Sequence, residues 1–427
     1  MRMLHMKSIA SLLSIIALGF GLVGCPGGGG STPAAFAVST TAADFGVVGN
    51  VYSSTLAVTG GTAPFTWTQS GGDVLTGLVL AAGTGVVSGT PTAADNFNAT
   101  FTVTDSTGKT AIGSVLFSIH SRTDRVSVDS NGTAGNGASS GPSINNDGSL
   151  VAFVSLATNL LAPGTPAVAG QQVYVHNRQT NQVELVSRDN SESTVNEGNG
   201  ASSVPSISAD GRYVAFVSQA TNLLAPGTPA VPAGQQIYVR DRQTGLTSLV
   251  SVDNDPVSPN PGNGVSNVPS ISADGRYVAF VSQATNLLAP GTPAVPAGQQ
   301  IYVRDRQTGL TSLVSVDNNV VPIPGTGLSS APSISADGRY VAFVSVATNL
   351  LAPDPVVLGG QQIYIHDRQL GQSSLASQDN TNTNVEGAGG VSDTPSMNSN
   401  GGFVAFFSQA TNLTTGSGAH IYVRAIP

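Results

Sequence analysis

The sequence is poor in charged side chains, which make up 9% of its 427 residues, against roughly 25% in an ordinary soluble domain. It contains a single cysteine, Cys25, and a single tryptophan, Trp67. With no second cysteine, the chain cannot close an internal disulfide or build a cysteine-based metal site. Its stability must therefore come from packing.

Basic residues are scarce as well. Lysine and arginine total 16 against 24 acidic residues, and the formal net charge is −8. Such a chain repels phosphate backbones, so we expect no nucleic-acid partner. The five histidines are dispersed, and the chain has no His-Glu-x-x-His motif and no phosphate-binding loop. The sequence therefore predicts no catalytic residues, no metal site and no cofactor.

The N-terminus has the features of an export signal. Arg2 and Lys7 precede a mainly apolar run over residues 9–23, which is short for a membrane span. The run leads into Leu22-Val23-Gly24-Cys25, which resembles the lipobox of bacterial lipoproteins. The resemblance implies that residues 1–24 are a signal peptide and that Cys25 carries the lipid anchor. The alternative is an ordinary secretory signal with a chance cysteine.

Residues 25–35 are rich in glycine and proline and predict a flexible linker. A ten-residue coil of this kind has an end-to-end distance on the order of 17 Å. Pro26 follows the cysteine where lipoproteins retained in the inner membrane have aspartate, so the lipobox resemblance implies an outer-membrane protein. Whether it faces the cell surface or the periplasm is left open.

Residues 36–119 alternate apolar and polar residues in short runs separated by turns, which predicts a small β-sandwich. The strings Gly60-Gly61-Thr62-Ala63-Pro64-Phe65-Thr66-Trp67, 84–91 and 103–106 resemble the bacterial putative-Ig (cadherin-like) repeat. The resemblance implies an Ig-like domain, in which Trp67 fills the core. Cadherin relatives bind calcium through clustered acidic residues, whereas those of this domain are scattered. Calcium is therefore a secondary alternative to the expected absence of a cofactor.

The rest of the chain is repetitive. The phrase Pro-Ser-Ile-Ser-Ala-Asp-Gly starts at Pro205, Pro269 and Pro332, with looser copies from Pro142 and Pro395, so the starts are almost evenly spaced. Such a period indicates a supersecondary unit that buries its apolar face against its neighbours.

One unit predicts four short strands, A to D, at 205–209, 212–218, 236–240 and 246–252. Four antiparallel strands per unit are typical of a propeller blade. The spacing of Ser-x-Asp-Gly, Val-Ala-Phe-x-Ser and Ile-Tyr-Val resembles the TolB-type repeats of bacterial envelope proteins. This implies a TolB-like propeller over residues 122–427.

The fifth unit has no counterpart of strand D within the sequence, whereas segment 125–129 matches segment 313–317, which is predicted as a strand D. We therefore expect the first segment to pair with the last unit and close a five-bladed ring, which would remove both open edges. The predicted fold is all-β: an Ig-like sandwich followed by this closed propeller.

Within a unit, the A–B and C–D connections are tight turns, and the B–C and D–A connections are long. Alternating strand directions predict that all long loops lie on one face, where binding sites concentrate. Acidic and amide residues begin the D–A loops and form a candidate ligand-binding set: Asp129, Asp189, Asn190, Asp253, Asn254, Asp317, Asn318, Asp379 and Asn380. The alternative is that each Asp-Asn pair ends its strand through a side-chain turn.

These features favour a non-enzymatic envelope lipoprotein that binds protein or glycan through its long-loop face, as an adhesin or an assembly scaffold. One alternative is a polysaccharide hydrolase or lyase of the propeller type, which would require convergent carboxylates. The other is a periplasmic TolB-like scaffold. The sequence does not identify the ligand or the oligomeric state.

Overall fold

The computed structural model describes residues 34–426 except 122, 163–164, 166, 191–195, 226–227, 229, 256, 290, 293, 352–359, 379–389, 412 and 414–418. All regular elements of this part of the chain are β strands, in agreement with the all-β prediction. The signal peptide, Cys25, Asp379 and Asn380 lie outside the described residues.

The Ig-like region has nine strands in two main sheets. The sheet orders are β2-β9-β8-β5 and β3-β7-β6, and the short β1 pairs with β4. Trp67 is buried between the sheets among Val87, Phe101 and Phe117, the core position expected for it. The strands are β1 Ala37–Val38, β2 Gly46–Val47, β3 Tyr52–Thr55, β4 Val58–Thr59, β5 Thr66–Gly72, β6 Leu78–Ala81, β7 Val86–Gly89, β8 Asp95–Thr104 and β9 Thr110–His120.

Five further sheets follow, one for each repeat. Four have four strands in sequence order, and the last has three. The strands are β10 Ser139–Ile144, β11 Leu150–Ser155, β12 Gln172–Asn177 and β13 Gln182–Leu185; β14 Ser202–Ile207, β15 Tyr213–Ser218, β16 Gln236–Asp241 and β17 Leu246–Leu249; β18 Ser266–Ile271, β19 Tyr277–Ser282, β20 Gln300–Asp305 and β21 Leu310–Leu313; β22 Ser329–Ile334, β23 Tyr340–Ser345, β24 Gln362–Asp367 and β25 Gln372–Leu375; and β26 Ser392–Met397, β27 Phe403–Ser408 and β28 His420–Ala425.

The two middle strands of each inner sheet are buried on both faces. Strand β15 reads Tyr-Val-Ala-Phe-Val-Ser, and every residue after Tyr213 is buried. A strand covered by neighbours on both sides needs a continuous apolar run rather than strict alternation. The phenylalanine of this strand, Phe216, stacks on Tyr238 of strand C, with ring centroids 5.8 Å apart.

Strand A contains a bulge just before its proline. In the second sheet the register shifts between Ser203 and Ser206, and Val204 has a φ of 49°, which is rare for a β-branched residue. Beyond the bulge, the N–H of Ile207 donates to the Ser143 hydroxyl of the preceding sheet over 3.1 Å. The same bond joins each later sheet to its predecessor at 3.0–3.2 Å.

The expected ring closure is not confirmed, and the five repeat sheets form an open stack. Among the described strands, only β27 pairs with β28. The segment 125–129 does align with 313–317 in sequence. However, β21 ends at Leu313, so most of the aligned residues lie in the loop after strand D. Val128 bridges to Ala134, as Val316 bridges to Pro324. The segment therefore folds onto its own loop rather than onto the last sheet.

The Ig-like region occupies the place of a preceding sheet. At the inner junctions, the first residue of strand B packs against the glycine of the next A–B turn. The packing is so close that a Cβ added to Gly275 would lie 2.1 Å from the Tyr213 ring. For the first sheet this role falls to Phe45, whose ring would lie 3.6 Å from a Cβ on Gly148. This contact covers the Gly148 turn but leaves strand A of the first sheet open, where Ile144 is 59% exposed.

Candidate binding rim and interdomain junction

The long loops and the tight turns of the repeat sheets lie at opposite rims. Every strand pair within these sheets is antiparallel, so the A–B and C–D turns share one end of a sheet and the B–C and D–A loops share the other. In the second sheet, strand B ends at Ser218 and strand C begins only at Gln236, whereas strand D follows strand C after one tight turn. We call the end that carries the B–C and D–A loops the long-loop rim.

The described aspartates of the candidate set start the D–A loops and organise them. Asp129 Oδ1 accepts the N–H groups of Asn131 and Thr133 at 2.9 and 2.8 Å. The Thr133 N–H is the main cause that lowers the pKa of Asp129. Asp253 and Asp317 accept backbone N–H groups of their own loops in the same way, and Asp189 accepts from the Asn196 amide at 3.0 Å.

The described asparagines of the set clamp neighbouring sheets together. Asn254 Oδ1 accepts the N–H of Thr311 at 2.6 Å, and its Nδ2 donates to the Thr311 carbonyl at 2.9 Å. Asn190 and Asn318 make the corresponding pair of bonds with Thr247 and Ser373. Each amide thus makes two hydrogen bonds to the backbone of the next sheet, one accepted and one donated. Sequence reasoning did not suggest this role.

These bonds tie each Asp-Asn pair to its own junction, and none of them connects one pair to another. Ligand binding by this set stays a prediction. The carboxylates and amides already have protein partners, which agrees with the side-chain-turn alternative raised by the sequence.

One junction forms a groove on the long-loop rim. It lies between the D–A loop of the second sheet and the B–C loop of the third, and has a volume of about 680 Å³. Both loops supply polar side chains, and the B–C loop adds apolar ones. Its lining includes Asp253, Asn254, Thr285, Asn286, Leu288 and Ala294.

Hydrogen bonds join the two loops that form the groove. Asn286 Oδ1 accepts the N–H of Asn263 at 2.9 Å, and its Nδ2 donates to the Pro261 carbonyl at 3.0 Å. Leu287 is buried in the core, whereas Leu288 packs at its margin and lines the groove. The repeated Ala-Thr-Asn-Leu-Leu-Ala-Pro string admits two interpretations, a leucine pair that adds to the core or an apolar patch on the rim; Leu287 agrees with the first, and Leu288 lines the groove.

A second cavity, of about 440 Å³, lies between the Ig-like region and the first repeat sheet. Arg178 crosses this junction: its Cζ lies 5.7 Å from the Phe45 ring centre, and its Nη2 lies 2.8 Å from Asp124 Oδ2. His120 Nδ1 lies 3.2 Å from the same carboxylate oxygen. Burial, reinforced by Arg178, lowers the pKa of His120, and burial also lowers that of His176.

The string from Gly137 to Gly141, Gly-Ala-Ser-Ser-Gly, has the spacing of a hydrolase nucleophile elbow. Its serine, Ser139, begins strand β10 and donates to the Ser155 hydroxyl at 2.9 Å. A nucleophile elbow requires a sharp turn between a strand and a helix. The string therefore does not build that site.

Within the described residues, no group of three or more histidine, cysteine, aspartate or glutamate side chains is placed to hold a metal ion. The same part of the chain has no helix of sufficient length and apolar character to cross a membrane.

Comparison with known proteins identifies the first folded region. Residues 33–120 match the family described as Putative Ig domain. No curated protein matches the sequence.

Three solved structures show similarity over larger parts of the chain. Putative TolB from Agrobacterium tumefaciens is 14% identical with a TM-score of 0.35, over 78% of this chain and 86% of that one. An oligogalacturonate lyase in complex with manganese is 12% identical with a TM-score of 0.38, over 93% and 97%. A prolyl endopeptidase is 14% identical with a TM-score of 0.37, over 64% of this chain and 32% of its own. At these values the similarities carry no conclusion about activity.

Proposed function

We propose that this chain is a non-enzymatic lipoprotein of the bacterial envelope that binds protein or glycan through its long-loop rim. The observation that carries the proposal is the contrast between the two rims. One rim consists of short turns, and the other gathers the long loops and a groove of about 680 Å³. A rigid scaffold that displays loops on one side is the usual arrangement of a binding surface.

The chemistry of the groove suits a polar ligand. Aspartate, asparagine and threonine side chains line it together with alanine, and Leu288 adds an apolar contact. A few polar groups on a partly apolar concave surface are typical of sites that orient a bound molecule. A sugar ring or an exposed protein loop presents the hydroxyl, amide and apolar groups that match such a surface.

A polysaccharide hydrolase or lyase is the alternative. The groove contains two carboxylates, Asp253 and Asp255. Asp255 Oδ1 accepts the N–H groups of Val257 and Ser258 at 2.9 and 3.0 Å, and the Ser258 N–H is the main cause that lowers its pKa. A general acid needs the opposite shift, so Asp255 does not suit that role.

The proposed location is the outer membrane, with the lipid anchor at Cys25 and the folded regions facing the cell surface or the periplasm. An adhesin and an envelope-assembly scaffold would both bind their partner through the long-loop rim. A periplasmic scaffold of the TolB type differs from them in the side of the membrane that it faces.

The rim can be tested with two matched triple variants. Ala167→Arg, Ala230→Arg and Ala294→Arg place long side chains on exposed B–C loop positions of three sheets. Thr180→Arg, Thr244→Arg and Thr308→Arg add the same charges to tight turns of the same sheets. The wild-type protein is immobilised and presented with envelope extract and a glycan panel, and the strongest ligand is titrated against all three proteins.

We expect the loop variant to weaken binding at least tenfold and the turn variant to leave it within twofold. Retention of nothing by the wild-type protein, or equal losses in the two variants, would reject the proposal. Release of reducing ends or unsaturated sugars from a polysaccharide would favour the enzymatic alternative.

A further inference from the structure

The D–A loop between the third and fourth repeat sheets carries an exposed apolar tip. Val320 is fully exposed, and Val321 and Ile323 are 68% and 51% exposed. Leu328, at the end of the same loop, is exposed as well. We call residues 319–328, none of which is charged, the apolar loop.

Hydrogen bonds at the base of this loop fix its backbone. Asp317 Oδ1 accepts the N–H groups of Asn319 and Ile323 at 3.2 and 2.9 Å. The Asp317 N–H donates to the Ile323 carbonyl at 3.0 Å, and Val316 bridges to Pro324. The apolar side chains of the tip therefore take no part in closing the loop.

The preceding D–A loop offers a comparison within the same chain. Residues 204–254 and 268–318 are identical, so the two loops follow identical strands and differ only beyond them. Where the apolar loop has Ile323, the preceding loop has Asn260, whose carbonyl likewise accepts the N–H of the aspartate that begins its loop. The Asn260 amide turns back to Asp253 at 2.8 Å. The same frame thus accepts a polar residue, and the fold does not require an apolar one.

The tip is also restricted in its backbone conformation. Val321 and Ile323 each precede a proline, and a residue in that place avoids the helical region and favours an extended or polyproline conformation. A segment that is restricted before binding loses less entropy when it binds. Apolar grooves lined by aromatic side chains recognise extended segments that contain proline.

A sugar or a lipid bilayer matches this tip less well than a protein does. A sugar hydroxyl buried against valine and isoleucine would lose its hydrogen bonds to water and gain none. Segments that enter the surface of a bilayer use aromatic or basic residues, and the apolar loop has neither. The formal net charge of −8 also disfavours an anionic membrane surface.

We propose that the apolar loop binds an apolar, aromatic-lined groove on a partner protein. The inference rests on the proposed function and narrows it, because it names a protein rather than a glycan as the ligand of the long-loop rim. Val320, Val321 and Ile323 enter the groove, and the bonds of Asp317 hold the backbone in place. Clustered apolar side chains on a protein surface are typical of such contacts.

The partner is identified by photocrosslinking of the full-length chain. The photoreactive residue p-benzoylphenylalanine replaces Val321, or Ile112 of the Ig-like region as a control, and each protein is irradiated in envelope extract. We expect a discrete protein adduct from position 321 and none from position 112. The protein in this adduct is then produced separately and purified for titration.

Two matched triple variants test the contact with the purified partner. The first makes the tip polar through Val320→Ser, Val321→Ser and Ile323→Asn. The second makes the same changes at exposed positions of the Ig-like region, through Val74→Ser, Val79→Ser and Ile112→Asn. We expect the tip variant to bind the partner at least tenfold more weakly than the wild type at an unchanged melting temperature, and the control variant to bind within twofold.

The inference would be overturned by the absence of an adduct at position 321, by an equal adduct at position 112, or by a tip variant that binds within twofold of the wild type. It is also wrong if protease digestion of the extract leaves the binding intact, which indicates a glycan. Tip-dependent binding to vesicles of phosphatidylethanolamine and phosphatidylglycerol would show a lipid ligand instead. Each of these results can occur while the arginine variant of the long-loop rim still loses binding, so the proposed function and this inference fail separately.

Discussion

His366 stands on β24 at the position that arginine holds in the second and third repeat sheets. Arg304, one of those arginines, reaches the Thr311 hydroxyl at 3.0 Å. The shorter imidazole of His366 lies 3.0 Å from the Ser373 hydroxyl through Nδ1. Burial, with the charge of Arg368 nearby, lowers the pKa of His366 to about 4. The folded protein therefore keeps this side chain neutral under conditions in which the unfolded chain protonates it.

This difference predicts a loss of stability in mild acid. Since the folded pKa lies below the usual value of 6.5, the contribution of His366 is complete above pH 6.5 and is lost as the pH falls toward 4. We expect a decrease of about 2 kcal/mol in the free energy of unfolding over this range. Urea unfolding at several pH values should show a smaller decrease for His366→Gln than for the wild-type chain. An identical pH profile for wild type and His366→Gln would contradict the assignment.

At the scale of elements, the sequence predicted the middle strands of each repeat better than the outer ones. Strands B and C agree within a residue with β15 and β16, because a doubly buried strand requires an unbroken apolar run. Strand A begins earlier than predicted, at Ser202, since the bulge at Val204 keeps the proline inside the strand. Strand D ends at Leu249 rather than at Val252, which instead bridges to Pro261 of its own loop.

The contact between the Ig-like region and the first sheet can be tested at Phe45. Phe45→Ala removes the ring that Arg178 covers, and we expect it to lower the free energy of unfolding by about 2 kcal/mol. Phe45→Tyr should preserve the contact, because Tyr213 fills the same role under Arg306, whose Cζ lies 4.4 Å from its ring centre. Calorimetry and limited proteolysis of the three proteins would measure the effect. Equal behaviour of the alanine and tyrosine variants would refute this role for the ring.

For the molecule as a whole, the Ig-like region lies in the chain between the predicted anchor at Cys25 and the open stack of repeat sheets. The Ig-like region is bonded to the first sheet through Arg178, Asp124 and the Ser118 hydroxyl, which donates to the Gln179 carbonyl at 2.8 Å. It is therefore a cap on the stack, rather than a loose spacer.

The anchor is tested by cell fractionation. Cys25→Ser removes the acylated thiol, and we expect the protein to move from the detergent phase and the membrane fraction to the soluble fraction, since several acyl chains hold a protein far more firmly than one or none. Ser31→Ala, in the same linker, should stay with the membrane. Membrane retention of Cys25→Ser would show that the anchor lies elsewhere.

The sequence by itself determined the all-β class, the five repeats, the position of Trp67 in a core and the separation of long loops from tight turns. These follow from local periodicity and turn chemistry, which any stretch of chain carries with it. Only the tertiary structure showed that Asn190, Asn254 and Asn318 clamp neighbouring sheets, because the partner of each lies in the next repeat. It also decided that the stack stays open. A match between two segments does not reveal that Val128 bridges to Ala134 of its own loop rather than to the last sheet.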